Sequence, residues 1–308
     1  MRMVFSFLLA VICLLSACSD QPPVDPSPRI TGPTMGTTYT LLVPGLSDAD
    51  HTTLSNAVAV ELQNINQSMS TYQDDSAISQ FNRSRDTDWF TVSDAFASVT
   101  AAALQIAAAS DGAFDPTVGP LVRRWGFGAG DDQPIPPPAD ELQQLLKQVG
   151  YRHLQVRADP PAIRKNFAGL QLDLSAIAKG YAVDRVAELT AQLGYDNYLV
   201  EIGGELRVNG RSEQNKPWHI GVEQPAADGT ETQSSLALTG GGVASSGDYR
   251  NFRRAQGKKY SHIIDPVAGQ PVQHGLAAVT VVANTAMHAD GWATALMVLG
   301  PQRGREYA

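Results

Sequence analysis

Long stretches with helical apolar spacing alternate along the chain with short runs of strand-like pattern. From Asp48 to Met69 apolar residues recur at Leu54, Val58, Leu62, Ile65 and Met69, three or four apart, which predicts one long amphipathic helix. Ser93 to Ser110 predicts a second, alanine-rich helix with Val99, Leu104 and Ile106 on its apolar side, ended by Asp111-Gly112. Ala139 to Val149 reads as a short helix. Thr285 to Leu299 reads as a helix apolar nearly all round and stopped by Gly300. Strands are expected over Tyr39–Val43, Asn197–Val208, Trp218–Glu223 and Ala277–Ala283. Gly203-Gly204 interrupts the second of these, as a bulge or a close ligand would.

The remaining pattern is organised around Leu172 to Asp184, L-D-L-S-A-I-A-K-G-Y-A-V-D. Leu170, Leu172 and Leu174 alternate as a short strand, a turn follows, and a helix starts near Ala176 and runs to Leu193 before Gly194. Unpaired N–H groups at such a start attract anions. Lys179 adds a point charge suited to phosphate, Asp173 sits just before the turn, and Gly180 leaves room for another backbone or a ligand. The competing reading is an ordinary strand-to-helix turn with a capping Ser175 and a solvated lysine.

Loops add further candidates. Thr34-Met35-Gly36-Thr37-Thr38 leads into the first strand, where Gly36 lets the backbone pass close to a neighbour. Tyr72 lies just past a helix end, placed to stack on a ligand. Ala113 to Leu121, A-F-D-P-T-V-G-P-L, is stiffened by prolines and glycines and holds Asp115 rigidly. Gly126 to Pro138 reads as a surface loop.

Composition narrows the class. The 308 residues allow one large domain or two modest ones. Lys plus Arg number 23 against 31 Asp plus Glu, a balance that argues against a nucleic-acid surface. Arg2, the apolar run Val4–Leu15 and L-S-A-C at Leu15 to Cys18 follow the order of a bacterial lipoprotein signal. We therefore expect a signal peptide over 1–17, lipid on Cys18, a proline-rich tether over 18–28 and a folded domain over 29–308. The mature chain is expected to be periplasmic and lipid-anchored, with the inner membrane favoured. Cys13 and Cys18 are the only cysteines, so the folded part has no disulfide, thiolate metal site or cysteine nucleophile. The chain runs to Ala308 with no strand after the last helix, and a C-terminal truncation is expected.

Three oxygen donors suggest a hard-cation site. Asp290 and Thr294 stand four apart on one helix face, and the turn at Ala176 offers a backbone carbonyl. Mg²⁺ takes few protein oxygens and keeps positions for water and a substrate phosphate. The competing reading is a helix with two polar residues facing water, but Trp292 and Ala293 make its surroundings apolar, and a buried Asp needs a partner. His262, on a strand edge in K-Y-S-H-I-I-D-P, could take a proton from an attacking hydroxyl. His288 competes for that role, whereas His51, His153, His219 and His274 look peripheral.

Met35-Gly36-Thr37, Tyr72, A-F-D-P-T-V-G-P-L, L-D-L-S-A-I-A-K-G-Y-A-V-D, E-I-G-G-E at 201 to 205, S-S-G-D-Y at 245 to 249, Y-S-H-I-I-D-P and A-D-G-W-A-T-A-L at 289 to 296 occur together and in order. In this the chain resembles the FAD:protein FMN transferase family, the ApbE-type periplasmic flavin transferases, over nearly all of Ile30 to Gly300. The resemblance implies an α+β fold, a two-lobed mixed sheet with flanking helices and the flavin in the cleft between lobes. It implies Mg²⁺-dependent transfer of FMN from FAD to a Thr or Ser hydroxyl of a protein with a D-x-x-[ST]-[SG]-A-[ST]-like segment, which this chain does not itself contain, with release of AMP. A membrane redox complex subunit is the partner so implied. Matched position by position, Met35, Tyr72, Ala113, Phe114, Asp115, Asp173, Lys179 and Ile264 would contact FAD. Ala176, Asp290 and Thr294 would hold Mg²⁺, and His262 would be the general base, with Lys179 neutralising the pyrophosphate. Two alternatives remain: an FAD pyrophosphatase giving FMN and AMP, and a non-catalytic flavin-binding lipoprotein.

Overall fold

The computed structural model describes residues 28–128, 135–226, 229–248 and 251–308. The expected signal peptide, Cys18 and nearly all of the tether lie outside the described residues, as do Tyr249 and part of the Gly126–Pro138 loop. In chain order the elements are β1 (Arg29–Thr34), β2 (Thr37–Leu42), α1 (Asp48–Met69), α2 (Ala77–Arg83), β3 (Phe90–Thr91), α3 (Asp94–Ala109), α4 (Gly119–Arg124), α5 (Ala139–Leu146), β4 (Leu154–Ala158), β5 (Pro161–Lys165), α6 (Ala178–Gln192), β6 (Tyr198–Ile202), β7 (Glu205–Asn209), β8 (Trp218–Ala226), β9 (Gly229–Leu238), β10 (Gly240–Gly247), β11 (Phe252–Ala255), β12 (Lys258–Ser261), β13 (Ile264–Asp265), β14 (Gln270–Pro271), β15 (Ala278–Ala283) and α7 (Ala286–Tyr307).

The α+β class is the expected one. A six-stranded sheet runs in the order β1-β2-β6-β7-β10-β15 with helices packed on it. Every pairing in it is antiparallel, so the expected mixed sheet is corrected. Tight two-residue turns join β1 to β2 and β6 to β7, and such turns make only antiparallel neighbours.

Helix α1 buries the predicted stripe, Leu54, Val58, Leu62, Ile65 and Met69. The first four pack with Leu41, Val43, Val186, Val200 and Ile202 in one core. Ser47 caps its start, its Oγ accepting from Asp50 N at 3.1 Å. A second core gathers α3 around Phe96, Val99, Ala103 and Ile106, together with Leu170, Leu172, Leu174 and Ile177.

Three sequence expectations change. The run from Leu170 to Leu174 buries its leucines as a strand would, yet it belongs to no sheet. The Asn82 amide takes the place of a neighbouring strand: its Nδ2 donates to Leu172 O at 2.8 Å and its Oδ1 accepts from Leu172 N at 2.7 Å. Lys165, fully buried, anchors the start of the run by donating from Nζ to the carbonyls of Phe81, Ser84 and Leu170 at 2.9, 2.7 and 3.3 Å. Local alternation could not reveal that the paired backbone groups would be met by side chains. Second, Gly203-Gly204 is not a bulge. It is the hairpin turn between β6 and β7, with φ of 61° and 107° and Ile202 opposite Glu205. Third, Gly36 meets no neighbour where a Cβ would stand, and its φ of 74° in the Met35-Gly36 turn explains the glycine instead. The predicted stop at Gly300 is present as a break inside α7, with φ 72°.

Candidate functional site

A cleft of about 610 Å³ is walled by β7, β8, β10 and β15 and by the loops after α3, before α6 and after β12. All twelve residues singled out from the sequence line it: Met35, Tyr72, Ala113, Phe114, Asp115, Asp173, Ala176, Lys179, His262, Ile264, Asp290 and Thr294. Met35 packs against both large cores, so the cleft opens along their seam. His288 is not among its lining residues; its Nδ1 meets Thr285 Oγ1 at 2.8 Å at the start of α7.

The two distant segments of the expected oxygen set meet where α6 crosses α7. Gly180 N donates to Asp290 Oδ2 at 3.0 Å, and a Cβ added at Gly180 would collide with the Ala286 carbonyl. Gly180 is thus the glycine of close backbone approach. Asp184, one turn along, accepts from Ala286 N and Met287 N at 2.9 Å each and from Arg207 Nη1 at 2.9 Å. A carboxylate on α6 therefore caps the N-terminus of α7, where the helix dipole favours negative charge. This fixes the start of the helix that carries Asp290 and Thr294. Thr294 Oγ1 lies 3.5 Å from Ser246 Oγ on β10.

The charges are unevenly matched. Lys179 Nζ stands 2.6 Å from Glu205 Oε1. Burial lowers the pKa of Lys179, but the carboxylates of Glu205, Asp290 and Glu201 outweigh it and the net shift is upward. An ion pair alone would hold Glu205 down; here burial first, then Asp290, pushes its carboxyl up to about 7. Its second oxygen, Oε2, is buried and has no hydrogen-bond partner. Asp290, 4% exposed, is also pushed up, chiefly by burial. Three carboxylates thus surround one ammonium. That surplus, with the oxygen-only character of Ala176 O, Asp290 and Thr294, fits a hard divalent cation. Among the described residues no three His, Cys, Asp or Glu side chains are grouped to hold a metal ion.

A pH prediction follows for the free protein without cation or flavin. The pKa of Glu205 in the fold lies above its ordinary 4.5, so its contribution to stability is fully present below that value and is lost as pH rises through about 7. Thermal unfolding followed from pH 5 to 8.5 should show this fall, and Glu205→Gln should flatten it. An equal slope in the variant would move the effect to another group.

His262 is half-buried and carries a bond that sets its tautomer. Its Nδ1 lies 2.9 Å from Asn251 O. A carbonyl only accepts, so Nδ1 holds the hydrogen and Nε2 keeps a free lone pair. Burial lowers the pKa of His262, keeping the ring neutral near pH 7.

Other expected ligand residues have structural duties. Asp115 turns its carboxylate into its own loop, accepting from Thr117 N at 2.8 Å, Thr117 Oγ1 at 2.6 Å and Tyr151 N at 2.9 Å. Asp173 Oδ1 accepts from Ser175 N and Ser175 Oγ at 2.9 and 2.5 Å. Phe114 is 2% exposed and sits in a core, so it offers a ligand chiefly backbone. Tyr72, 69% exposed, stands free at the rim. Glu205, Asp184 and Asn251 were not singled out from the sequence. The signals present were the last residue of E-I-G-G-E, and the placement of Asp184 four after Gly180 on the same helix face.

The ApbE family model matches residues 35–308. The chain is 40% identical over 316 aligned residues to the FAD:protein FMN transferase of Salmonella typhimurium, covering 99% of this chain and 90% of that relative. It is 39% identical to the protein of that name from Haemophilus influenzae, covering 100% and 90%. The solved flavin transferase ApbE from Vibrio cholerae superposes with a TM-score of 0.83 at 38% identity, over 91% of this chain and 89% of that one. The apo form of the flavinyl transferase ApbE from Pseudomonas stutzeri gives 0.81 at 41% identity, over 90% and 86%. Sequence blocks, cleft and whole-chain similarity agree, and the chain belongs to the ApbE family.

Proposed function

We propose that this protein is a flavin transferase that moves FMN from FAD onto a Thr or Ser hydroxyl of another protein. The observation that carries the reading is the convergence of the ammonium of Lys179, the neutral imidazole of His262 and the oxygen set of Ala176, Asp290 and Thr294 on one cleft. FAD enters with its pyrophosphate near Lys179, whose charge offsets the repulsion an attacking oxygen would meet. His262 Nε2 accepts the acceptor's hydroxyl proton while that oxygen bonds to the FMN phosphorus. The phosphoanhydride bond breaks and AMP leaves with its electron pair. Asn251 O holds the imidazole in the tautomer this requires. Ala176 O, Asp290 and Thr294 would hold Mg²⁺, which supplies Lewis-acid polarisation of the phosphate oxygens when bound. Tyr72, at the rim, stacks on an exposed ring of the flavin. The order of residues before Cys18 supports a lipid-anchored protein acting outside the cytoplasm on a membrane redox subunit.

Incubation with FAD, Mg²⁺ and a candidate acceptor should raise the acceptor's mass by one FMN and release AMP. FMN and AMP formed equally fast with no acceptor, and an acceptor of unchanged mass, would mean a pyrophosphatase. His262→Ala should slow transfer roughly 10²–10⁴-fold, the usual worth of a general base, while FAD affinity changes little. An unchanged rate would assign the base elsewhere.

A further inference from the structure

The hairpin β11–β12 is charged against the trend of the chain. Residues 250 to 260, R-N-F-R-R-A-Q-G-K-K-Y, hold five of the 23 basic residues and no acidic one, in a protein of net charge −8. The hairpin turns at Gln256-Gly257, with φ of 50° and 75°. Its two ends are Asn251 and His262, both lining the cleft and joined by His262 N to Asn251 O at 3.3 Å.

Register separates the hairpin's two faces. Phe252 pairs with Ser261, Arg253 with Tyr260, Arg254 with Lys259 and Ala255 with Lys258. The face of Arg253 and Tyr260 is turned to the protein: Tyr260 packs on Trp125 at 5.3 Å between centroids, and Arg253 Nη1 donates to Gly126 O at 3.4 Å. The opposite face presents Phe252, Arg254 and Lys259. Arg254 and Lys259 lie 5.4 and 4.9 Å from the Phe252 ring centroid. They also stand directly opposite one another, and like charges so paired destabilise a hairpin. Lys259 reaches Asp248 at 3.2 Å, but among the described residues Arg254 has no ion-pair partner. An arrangement that repels itself, beside the base of an acidic protein, is relieved by an anionic partner.

We infer that the outer face of β11–β12 docks an extended acidic segment of the acceptor protein, laid beside the cleft so that its hydroxyl reaches His262. The ladder is short: at about 3.3 Å per residue, Lys259 is roughly 10 Å from His262, within the span of three or four residues of an extended partner. The charges select and steer the partner, while the cleft performs the transfer. The surface rests on the transfer reading only for what becomes of the bound segment.

Binding and transfer are tested separately, with the full chain. The probes are two fluorescein-labelled twelve-residue peptides, each with one central threonine, flanked by glutamates in one and glutamines in the other. Anisotropy at low salt should show the glutamate peptide binding about tenfold more tightly, as expected of two or three partly exposed ion pairs, with the difference lost at 0.5 M salt. Arg254→Glu should remove about tenfold of that affinity and leave FAD affinity unchanged. The same substitution turns a repulsive cross-strand pair into an attractive one, so the melting temperature should hold or rise. Loss of binding from a sturdier hairpin is a result that damaged folding could not give. Equal affinity for both peptides, or unaltered binding by Arg254→Glu, overturns the proposal. So does binding to phosphatidylglycerol vesicles, lost in Arg254→Glu, with no peptide bound. Tight binding of the glutamate peptide without FMN addition keeps the docking surface and counts instead against transfer.

Discussion

Asp290→Ala abolishes FMN transfer while FAD still binds, only more weakly. Asp290 is the one carboxylate of the expected oxygen set, and it is 4% exposed. Removing it deletes the anionic donor of the proposed cation site and leaves Gly180 N without its acceptor. Loss of one well-aimed electrostatic contact to a reacting group typically costs on the order of 10²–10³ in rate, and loss of the cation itself costs more. The check is the mass of an acceptor protein after incubation with FAD and Mg²⁺, beside an FAD titration of the variant followed by flavin fluorescence. Titration with Mn²⁺, read by its paramagnetic signal, should show weakened cation binding without any turnover. Undiminished transfer would remove the proposed metal role. Asp290→Asn keeps the shape and the bond from Gly180 N, so a matching loss there would assign the effect to charge.

Asp184→Asn lowers both stability and transfer, although Asp184 lines no part of the cleft. Both carboxylate oxygens accept from main-chain N–H groups of α7, and one also meets Arg207. An amide offers one oxygen and one NH₂, and the NH₂ cannot accept. One buried N–H then loses its partner and Arg207 loses its counter-charge. Such losses cost about 2–4 kcal/mol together. At roughly 2 °C per kcal/mol for a domain of this size, the melting temperature should fall by about 4–8 °C. Transfer should fall as well, since the first turn of α7 sets the position of Asp290 and Thr294. A stable variant with slower turnover and weaker cation binding is the informative outcome. Wild-type turnover at a lowered melting temperature would leave Asp184 a purely structural cap.

The sequence made the long elements legible because each carries its own signal. Helix α1 has an apolar stripe and a serine cap, and its ends fall at Asp48 and Met69 as the spacing predicted. Glycine marked the end of α6 and the break at Gly300. What stayed hidden depends on groups distant along the chain. Nothing near Leu172 tells that Asn82, ninety positions earlier, replaces a strand. Nothing near Glu205 tells that its partner is Lys179 and that burial will raise its carboxyl. The short strands β4 and β5 pair only with each other and with β3, and their mixed pattern gave no alternation to read. The cleft itself was legible through family blocks. The hydrogen bond from Tyr151 N to the Asp115 carboxylate, and the core that receives the Phe114 ring, were not legible, because their partners lie elsewhere in the chain.

The meeting of α6 and α7 at Gly180 is a contact of main chain with main chain. The gap between the two helix backbones at that point is therefore set by peptide geometry. An engineer could recode the outward faces of both helices for solubility or attachment and leave that gap unchanged, provided position 180 stays without a side chain.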